Sequence, residues 1–388
     1  MLITRDARSA VRVARAGTDL VLLTWTAGRG VRADEDRLVE AYLALDEALR
    51  DRGAVPIQER VFAETSAASA LVRARARASP GCGERWAVPP TIVEGAPVAG
   101  AGLAGIHVIG ARGRARLLRE GAQVHGRLVD GPSARILGLA DVGRRLGERR
   151  SQPPAEEASG VLEAAEERLA REGFSFGDVA RTWFYLRGIL DWYGEFNGAR
   201  NAFFKAKGLA SANGAGPIPA STGIGGRNAR GGRCTLDLVA IQAGGPDPID
   251  KQRLHNPRQS EATSYGSAFA RALQLTTSDA RYVFVSGTAA IDGRGASVHT
   301  GDFEGQVLHT LDAVAALLEA AGARLCDIGQ ATAFLKRASD ATRFERLVRR
   351  CGIEAVPLVT TIADVCRPEL LFELDATAVV PVAAPERR

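Results

Sequence analysis

The stretch D-V-A-R-T-W-F-Y-L-R at residues 178–187 returns as D-I-G-Q-A-T-A-F-L-K at residues 327–336. Each run opens on an aspartate, continues with apolar and β-branched residues, and leads to a similar sequel. After the first come P-A-S-T-G-I-G-G (219–226) and C-T-L-D-L-V-A-I (234–241); after the second come P-L-V-T-T-I (357–362) and L-L-F-E-L-D-A-T (370–377). Repetition on this scale means that one small fold occurs twice in the polypeptide. Placed in register, Leu236-Asp237-Leu238 falls on Phe372-Glu373-Leu374, so each copy closes on a strand with one carboxylate among apolar neighbours. Glu373 is thereby the first functional candidate. Asp237, its counterpart, is expected to be structural, because fused copies need keep only one functional cleft.

Composition narrows the class. The chain has 388 residues, 46% apolar and 24% charged, enough for two or three domain cores and unlike a disordered or fibrous chain. Its net charge of +5 comes from 50 Lys and Arg against 45 Asp and Glu. The excess is mostly arginine scattered over the first 150 positions, with no basic stripe interleaved with aromatics. That distribution argues against nucleic acid and suits a small anionic substrate. No run approaches the roughly 18 apolar residues of a membrane helix, and the leading M-L-I-T-R-D lacks the charged-then-apolar order of a signal peptide. A cytoplasmic enzyme with no membrane partner is the expectation. The five cysteines (82, 234, 326, 351 and 366) show no C-x-x-C or His-paired spacing, so neither a disulfide framework nor a zinc site is indicated. No G-x-G-x-x-G follows a strand and no P-loop occurs, which points to a reaction without cofactor or metal.

Three zones follow along the chain: a small α/β lead-in (1–100), a first repeat (101–250) and a second repeat (251–388). The lead-in has strand-like runs at 19–25 and 54–62 around a helical pattern at 34–50, with apolar residues at Leu38, Tyr42, Leu45 and Leu49. Short Gly-broken strands are expected at 106–109, 123–125 and 135–139, then a polar linker at 148–157. The first repeat continues with a helix at 158–172, a strand at 178–187, a helix at 192–207, a Gly/Pro loop at 213–219 and a strand at 234–242. The second has strands at 282–286, 327–336, 356–363 and 370–380, with helices at 302–321 and 341–351. This order defines an α+β sandwich with helices on one face of each sheet.

Several side chains in these elements suit the binding and protonation of an anion. Glu373 alternates with Phe372 and Leu374, and a carboxyl desolvated by such neighbours has the raised pKa a general acid needs. Arg200 follows the apolar helical face of Phe196, Phe203 and Phe204, and Arg271 lies in an apolar stretch near Tyr265. Arginine suits carboxylate binding because its planar fork is bidentate and permanently charged. Thr222, in S-T-G-I-G, sits where a glycine-flanked loop exposes backbone N–H groups and a hydroxyl fit for a carboxylate edge. Lys336, at the end of its strand, faces either the cleft or solvent. His255, His299 and His309 cluster with no acid or cysteine and receive no role.

The second repeat resembles the Rid family of small imine deaminases through S-G-T-A-A-I-D (286–292), G-D-F-E-G-Q (301–306), L-D-A-V-A-A-L-L-E-A-A-G-A (311–323) and E-L-D-A (373–376). The match covers 282–380 well and 104–243 loosely. Fused copies combined with Y-x-x-F-N-x-x-R (193–200), N-P (256–257), S-Y-G (264–266) and F-A-R-A (269–272) are similar to the chorismatases, which remove pyruvate from chorismate. The resemblance implies tandem Rid/YjgF-like domains arranged as a pseudo-trimer within a monomer, with the N-terminal α/β lead-in capping them. It also implies Glu373 as catalytic acid, with Arg200, Arg271 and Tyr265 gripping the carboxylates and hydroxyl. Gly287 and Cys366 match the Gly and Cys of the subgroup that forms 3-hydroxybenzoate; the diol-forming subgroup has alanine-type residues there. In that subgroup Gly makes room for a rotated ring and Cys serves as proton shuttle or transient nucleophile. Three other readings stay open: a hydrolase giving a dihydroxycyclohexadiene acid, a Rid-like deaminase, and a non-catalytic ligand-binding protein. The deaminase is disfavoured because Val365 stands where those enzymes carry an arginine, the nearest being Arg367.

Overall fold

One order of strands and helices is laid down three times along the chain, once more often than the repeat in the sequence announces. The computed structural model describes residues 3–5, 11–16, 19–26, 34–79, 84–98, 100–143, 152–209, 216–229, 232–245, 248–278 and 280–382. Cys82, residues 148–151 of the expected linker, residues 213–215 of the expected loop and half of the leading hexapeptide lie outside them.

The first unit comprises β1 (Ile3–Arg5), β2 (Val11–Ala16), β3 (Leu20–Thr26), α1 (Glu35–Arg50), β4 (Ala54–Ala63), α2 (Ala68–Ala78), β5 (Thr91–Glu94), a short β6 (Ala96–Pro97) and β7 (Leu103–Arg112). The second comprises β8 (Arg114–Glu120), β9 (Gln123–Asp130), β10 (Ala134–Val142), α3 (Pro154–Arg171), β11 (Val179–Leu186), α4 (Ile189–Ala206), β12 (Ala220–Gly225) and β13 (Cys234–Ala243). The third comprises β14 (Asp250–Leu254), β15 (Ala272–Thr276), β16 (Ala280–Ala289), α5 (Phe303–Ala320), β17 (Ile328–Leu335), α6 (Ala341–Arg350), β18 (Leu358–Ile362) and β19 (Phe372–Pro381).

The three sheets share one topology: β1-β2-β3-β7-β4-β5, β8-β9-β10-β13-β11-β12 and β14-β15-β16-β19-β17-β18. Even the ladder irregularity recurs, at Pro56/Gln58, Val179/Arg181 and Ile328/Gln330. The stretch expected as a lead-in is therefore a third copy of the fold, and the strand around 106–109 belongs to its sheet rather than to the following one. The register also corrects the alignment of the closing strands. Trp183 lies opposite Asp237 and Thr332 opposite Asp375, so Asp237 is equivalent to Asp375; Glu373, opposite Phe334, is equivalent to Thr235, opposite Tyr185.

Local sequence explains the elements. Asp34 accepts a hydrogen bond from Arg37 N at 3.0 Å and so caps α1, whose buried Leu38, Tyr42, Leu45 and Leu49 recur at helical spacing. Pro154 opens α3 at a position where its missing N–H has no helical partner anyway. β11 is buried along its whole length, which requires an apolar run rather than an alternating one, because helices cover one face and other sheets the other.

Each sheet buries its outer face under its own helices, giving three separate cores. The inner faces of all three sheets share a fourth core that includes Leu22, Ile57, Trp183, Tyr185, Tyr282 and Phe334. At its centre the equivalent residues Phe62, Tyr185 and Phe334 meet edge to face, with Phe62 6.3 Å from Tyr185 and 6.0 Å from Phe334 between centroids. β6 adds to the edge of the third sheet through Thr361 and Pro97, closing the ring of units. The result is a trimer-like arrangement in one polypeptide, with three clefts where adjacent units meet.

Candidate active site

The clefts differ in what fills them. Between the first and second units, Thr91 Oγ1 donates to Asp237 Oδ1 at 2.6 Å, Asp141 N to the same oxygen at 2.8 Å, and Asn228 Nδ2 to Asp141 Oδ1 at 2.6 Å. Between the third and first units, Val359 occupies the space beside Gly105, where a Cβ would lie 2.5 Å from its methyl. Between the second and third units the equivalent space is open, a cavity of about 160 Å³. That is room for on the order of ten waters, the scale of a small organic acid.

α4 and β12 supply one wall of this cavity. Tyr193, Asn197 and Arg200 share one face of the helix, and Ser221 and Gly223 come from the strand. Ser221 N donates to Ser286 Oγ at 2.8 Å, locking β12 of the second unit against β16 of the third. The opposite wall consists of Tyr265, Phe269, Arg271, Gly287, Cys366, Arg367 and Glu373.

Three guanidinium groups converge here. Arg200 is fully buried, donates to Asn197 Oδ1 at 2.7 Å, and lies 5.0 and 5.3 Å from the rings of Phe196 and Phe269. Arg271 gives Nε and Nη2 to the Ser260 carbonyl at 2.9 and 2.7 Å and lies 5.4 Å from the Tyr265 ring. Arg367 donates to the Gly295 carbonyl at 2.9 Å and to Ser297 Oγ at 3.1 Å. None of the three has a carboxylate ion-pair partner among the described residues, so the cavity carries an excess of positive charge.

Glu373 faces them from β19, 4% exposed and with no hydrogen bond to its carboxyl among the described residues. Burial, reinforced by the nearby Asp375 carboxylate and opposed by Arg181 and Arg271, raises its pKa from the ordinary carboxyl range to about 8. Its environment therefore favours the protonated form. A ladder break between Val285 and Thr288 takes Gly287 out of regular pairing, and the Glu373 carboxyl lies directly over it. A Cβ on Gly287 would stand 2.1 Å from Glu373 Oε1. The space left by this glycine is occupied by the acid itself.

Cys366 borders the same cavity, and burial together with Glu373 pushes its thiol up to about 12. A thiol held neutral suits proton donation rather than attack as thiolate. Tyr193 and Tyr265 are likewise pushed up, chiefly by burial, and remain neutral phenols.

The structure thus gathers Glu373, Cys366, Arg200, Tyr265, Arg271 and Gly287 around one cavity. Thr222 and Lys336 fall outside it. The Thr222 hydroxyl donates to Asp375 Oδ2 at 2.9 Å, so the carboxylate edge it holds belongs to the protein, and only its methyl approaches Gly287. Lys336 donates to the Pro368 carbonyl at 2.9 Å, lies 3.5 Å from Asp364, and lines a separate cavity of about 430 Å³ with Arg187 and Arg227. A cation at the end of a strand goes where the adjoining loop turns, which strand periodicity does not encode. The residues that the sequence left without a role are Tyr193, Asn197, Ser221, Phe269 and Arg367. The i, i+4, i+7 spacing of Tyr193, Asn197 and Arg200 was a readable signal for the first two.

Among the described residues, no group of three or more His, Cys, Asp or Glu is placed to hold a metal, and no helix is long and apolar enough to cross a membrane.

Repeated sheet order, outward helices and an inter-unit cleft define a fused, trimer-like protein of the Rid fold class. The family model described as Endoribonuclease L-PSP matches residues 267–380. A 3-hydroxybenzoate synthase from Streptomyces hygroscopicus is 28% identical over 231 residues, 53% of this chain and 64% of that protein, so the match spans less than two thirds of the relative. The crystal structure of a chorismatase superimposes with a TM-score of 0.59 at 20% identity, covering 94% of this chain and all of the other. Over 94% of its length the chain shares the fold of that chorismatase.

Proposed function

We propose that the protein converts chorismate to 3-hydroxybenzoate and pyruvate without a cofactor, using Glu373 as general acid. The observation that carries this reading is a buried carboxyl, its pKa raised chiefly by burial, set in a cavity lined by three arginines; among the described residues neither the carboxyl has a hydrogen-bond partner nor the arginines a carboxylate one. Chorismate brings two carboxylates and an enol ether. The first two answer the arginines, and the third is the group an acid must protonate.

Transfer of the Glu373 proton to the methylene carbon moves the enol π pair into a new C–H bond and leaves an oxocarbenium centre. Once an oxygen nucleophile adds there, collapse of the adduct releases pyruvate. If water adds and the ring goes no further, the product is the diene diol. If the ring then loses a C–H proton together with its neighbouring hydroxyl, as water, it becomes aromatic; the two products together then contain the atoms of chorismate. A positioned acid contributes roughly 10²- to 10⁴-fold to such a step. The guanidinium groups of Arg200 and Arg271 supply fixed positive charge for the carboxylates, and Cys366 relays the ring proton, taking it up as its own S–H proton goes to the departing hydroxyl; its position on the cavity wall and its neutral thiol support that role.

Incubating the purified protein with chorismate, without added metal or cofactor, and identifying products by chromatography and NMR tests the reading. Pyruvate with 3-hydroxybenzoate supports it in full, and pyruvate with a diene diol keeps the acid but overturns the product. A second reading, an imine deaminase, is favoured by Arg367, which lines the cavity although it stands two residues beyond the expected position. Ammonia release from an amino-acid-derived imine, with no turnover of chorismate, would select it.

A further inference from the structure

Asp375 lies two residues beyond Glu373 on the same side of β19, is buried, and is held by side chains of the second unit. Arg181 Nη2 donates to it at 3.1 Å, Trp183 Nε1 at 3.1 Å and Thr222 Oγ1 at 2.9 Å. All three contacts are donors, an arrangement that suits an ionised carboxylate. Arg181 is fully buried, and burial lowers its pKa only to about 10, so it remains a cation. It also donates to the Thr182 carbonyl at 3.2 Å and to the Thr222 hydroxyl, and lies 4.7 Å from the centre of the Trp183 ring.

Without Asp375, Glu373 would be the nearest carboxyl to an unpaired buried guanidinium. A carboxyl in that position gives up its proton to form an ion pair and turns away from the cavity. We propose that Asp375 is a positioning residue for the reaction: by clamping Arg181 against Trp183 and Thr222, it keeps that cation from capturing Glu373 and leaves the acid protonated and aimed at the cavity. The inference rests on the reading of Glu373 as the proton donor.

The other cations facing Glu373 are anchored elsewhere: Arg200 on Asn197, Arg271 on the Ser260 carbonyl, and Arg367 on Gly295 and Ser297. The remaining titratable neighbours, Tyr193, Tyr265 and Cys366, are held neutral. Among the described residues, Asp375–Arg181 is thus the ion pair beside Glu373 that a single substitution unbalances. Its equivalent in the second unit, Asp237, also accepts from a threonine, Thr91, yet Thr235 stands where Glu373 would be. A carboxylate at this strand position therefore has a tying role common to two clefts, and only at Asp375 does it have an acid to protect.

The test is Asp375→Asn, which preserves shape and removes charge, with Arg181→Met as the opposite perturbation. Glu373 is titrated in the free protein by carbon-13 NMR of labelled glutamate carboxyls, assigned with Glu373→Gln, and the pH profile of kcat is recorded in parallel. In Asp375→Asn both the Glu373 titration and the alkaline limb of kcat are expected to fall by one pH unit or more, with KM changed less than threefold; in Arg181→Met both are expected to rise. A Glu373 titration that stays in place in both variants overturns the proposal and leaves Asp375 as a structural tie. Should Asp375→Asn fail to fold, the direction of shift in Arg181→Met decides alone. Turnover retained in Glu373→Gln would instead overturn the reading of Glu373 as acid, whatever Asp375 does.

Discussion

Replacing Gly287 by alanine adds one methyl group at the point where the acid rests. Its Cβ would stand 2.1 Å from Glu373 Oε1, 3.0 Å from the carboxyl carbon and 3.4 Å from the Thr222 methyl. Carbon and oxygen do not approach within 3 Å without overlap, so the oxygen must retreat by about 1 Å, and the flexible carboxylate gives way rather than the strand. The backbone itself is no obstacle, because Gly287 is not among the glycines with positive φ. Stability is expected to change by no more than about 1 kcal/mol, since alanine narrows the unfolded ensemble while the carboxyl accommodates it. Catalysis is another matter: a displacement of about 1 Å in a reacting group is worth on the order of 10²-fold. Gly287→Ala should therefore lose about 10²-fold in kcat with a nearly unchanged melting temperature and KM. The residual turnover should shift toward the diene diol, as alanine at this position in the family's hydrolysing subgroup implies. Pyruvate release followed in a coupled assay, beside a thermal melt, measures both. A folded variant with kcat within threefold of the parent would refute the argument that glycine is there to seat the acid.

Other outcomes follow from the same geometry. Because the acid must be protonated, kcat should fall above about pH 8 with the slope of one proton, and a flat profile to pH 9.5 under rate-limiting chemistry would contradict the elevated pKa of Glu373. A carboxyl raised on folding contributes stability that is fully present below its ordinary pKa of 4.5 and lost as pH climbs through about 8. Glu373→Gln should accordingly gain on the parent by up to about 1.4 kcal/mol per pH unit between those limits, read from denaturant melts at pH 5, 7 and 9. Cys366→Ala should keep pyruvate release and shift the ring product toward the diene diol; an unchanged product ratio removes the thiol from the aromatising step. In the filled cleft, Thr91→Val takes a donor from Asp237 and an acceptor from Asp141 N, and should cost about 1–3 kcal/mol in stability while leaving kcat unchanged.

What could be read from the sequence was what periodicity and side-chain chemistry encode. The strands at 178–187 and 327–336 lie within a residue of Val179–Leu186 and Ile328–Leu335. Their apolar runs are bounded by charged residues, and two copies reinforce one pattern. Glu373, Arg200 and Arg271 could be singled out because a charge inside an apolar run must be explained by what it faces. The third copy escaped because its β4 reads A-V-P-I-Q-E-R-V-F-A, with charged Glu59 and Arg60 where the other copies carry Thr182 and Trp183, or Ala331 and Thr332. Glu59 and Arg60 turn toward partners in other elements: Glu59 meets Tyr42 at 2.6 Å and Arg75 at 2.8 Å, and Arg60 meets Gln330, 270 positions away, at 2.6 Å. The two-residue error in aligning Asp237 with Glu373 has a similar origin. Both stretches read apolar-acid-apolar, and only the hydrogen-bonded ladder distinguishes Leu-Asp-Leu from Phe-Glu-Leu-Asp. The sequence points the Thr222 hydroxyl to substrate for the same reason: its partner in the fold, Asp375, is 153 positions away.

The most direct test of the central claim is the reaction of chorismate in deuterium oxide, with the pyruvate analysed by proton and deuterium NMR. If Glu373 delivers a solvent-exchanged proton to the methylene carbon, wild-type protein yields pyruvate carrying one deuterium in its methyl group together with 3-hydroxybenzoate, and folded Glu373→Gln yields neither. Pyruvate formed at the parental rate by Glu373→Gln, or wild-type pyruvate with no deuterium at that carbon, would contradict the account.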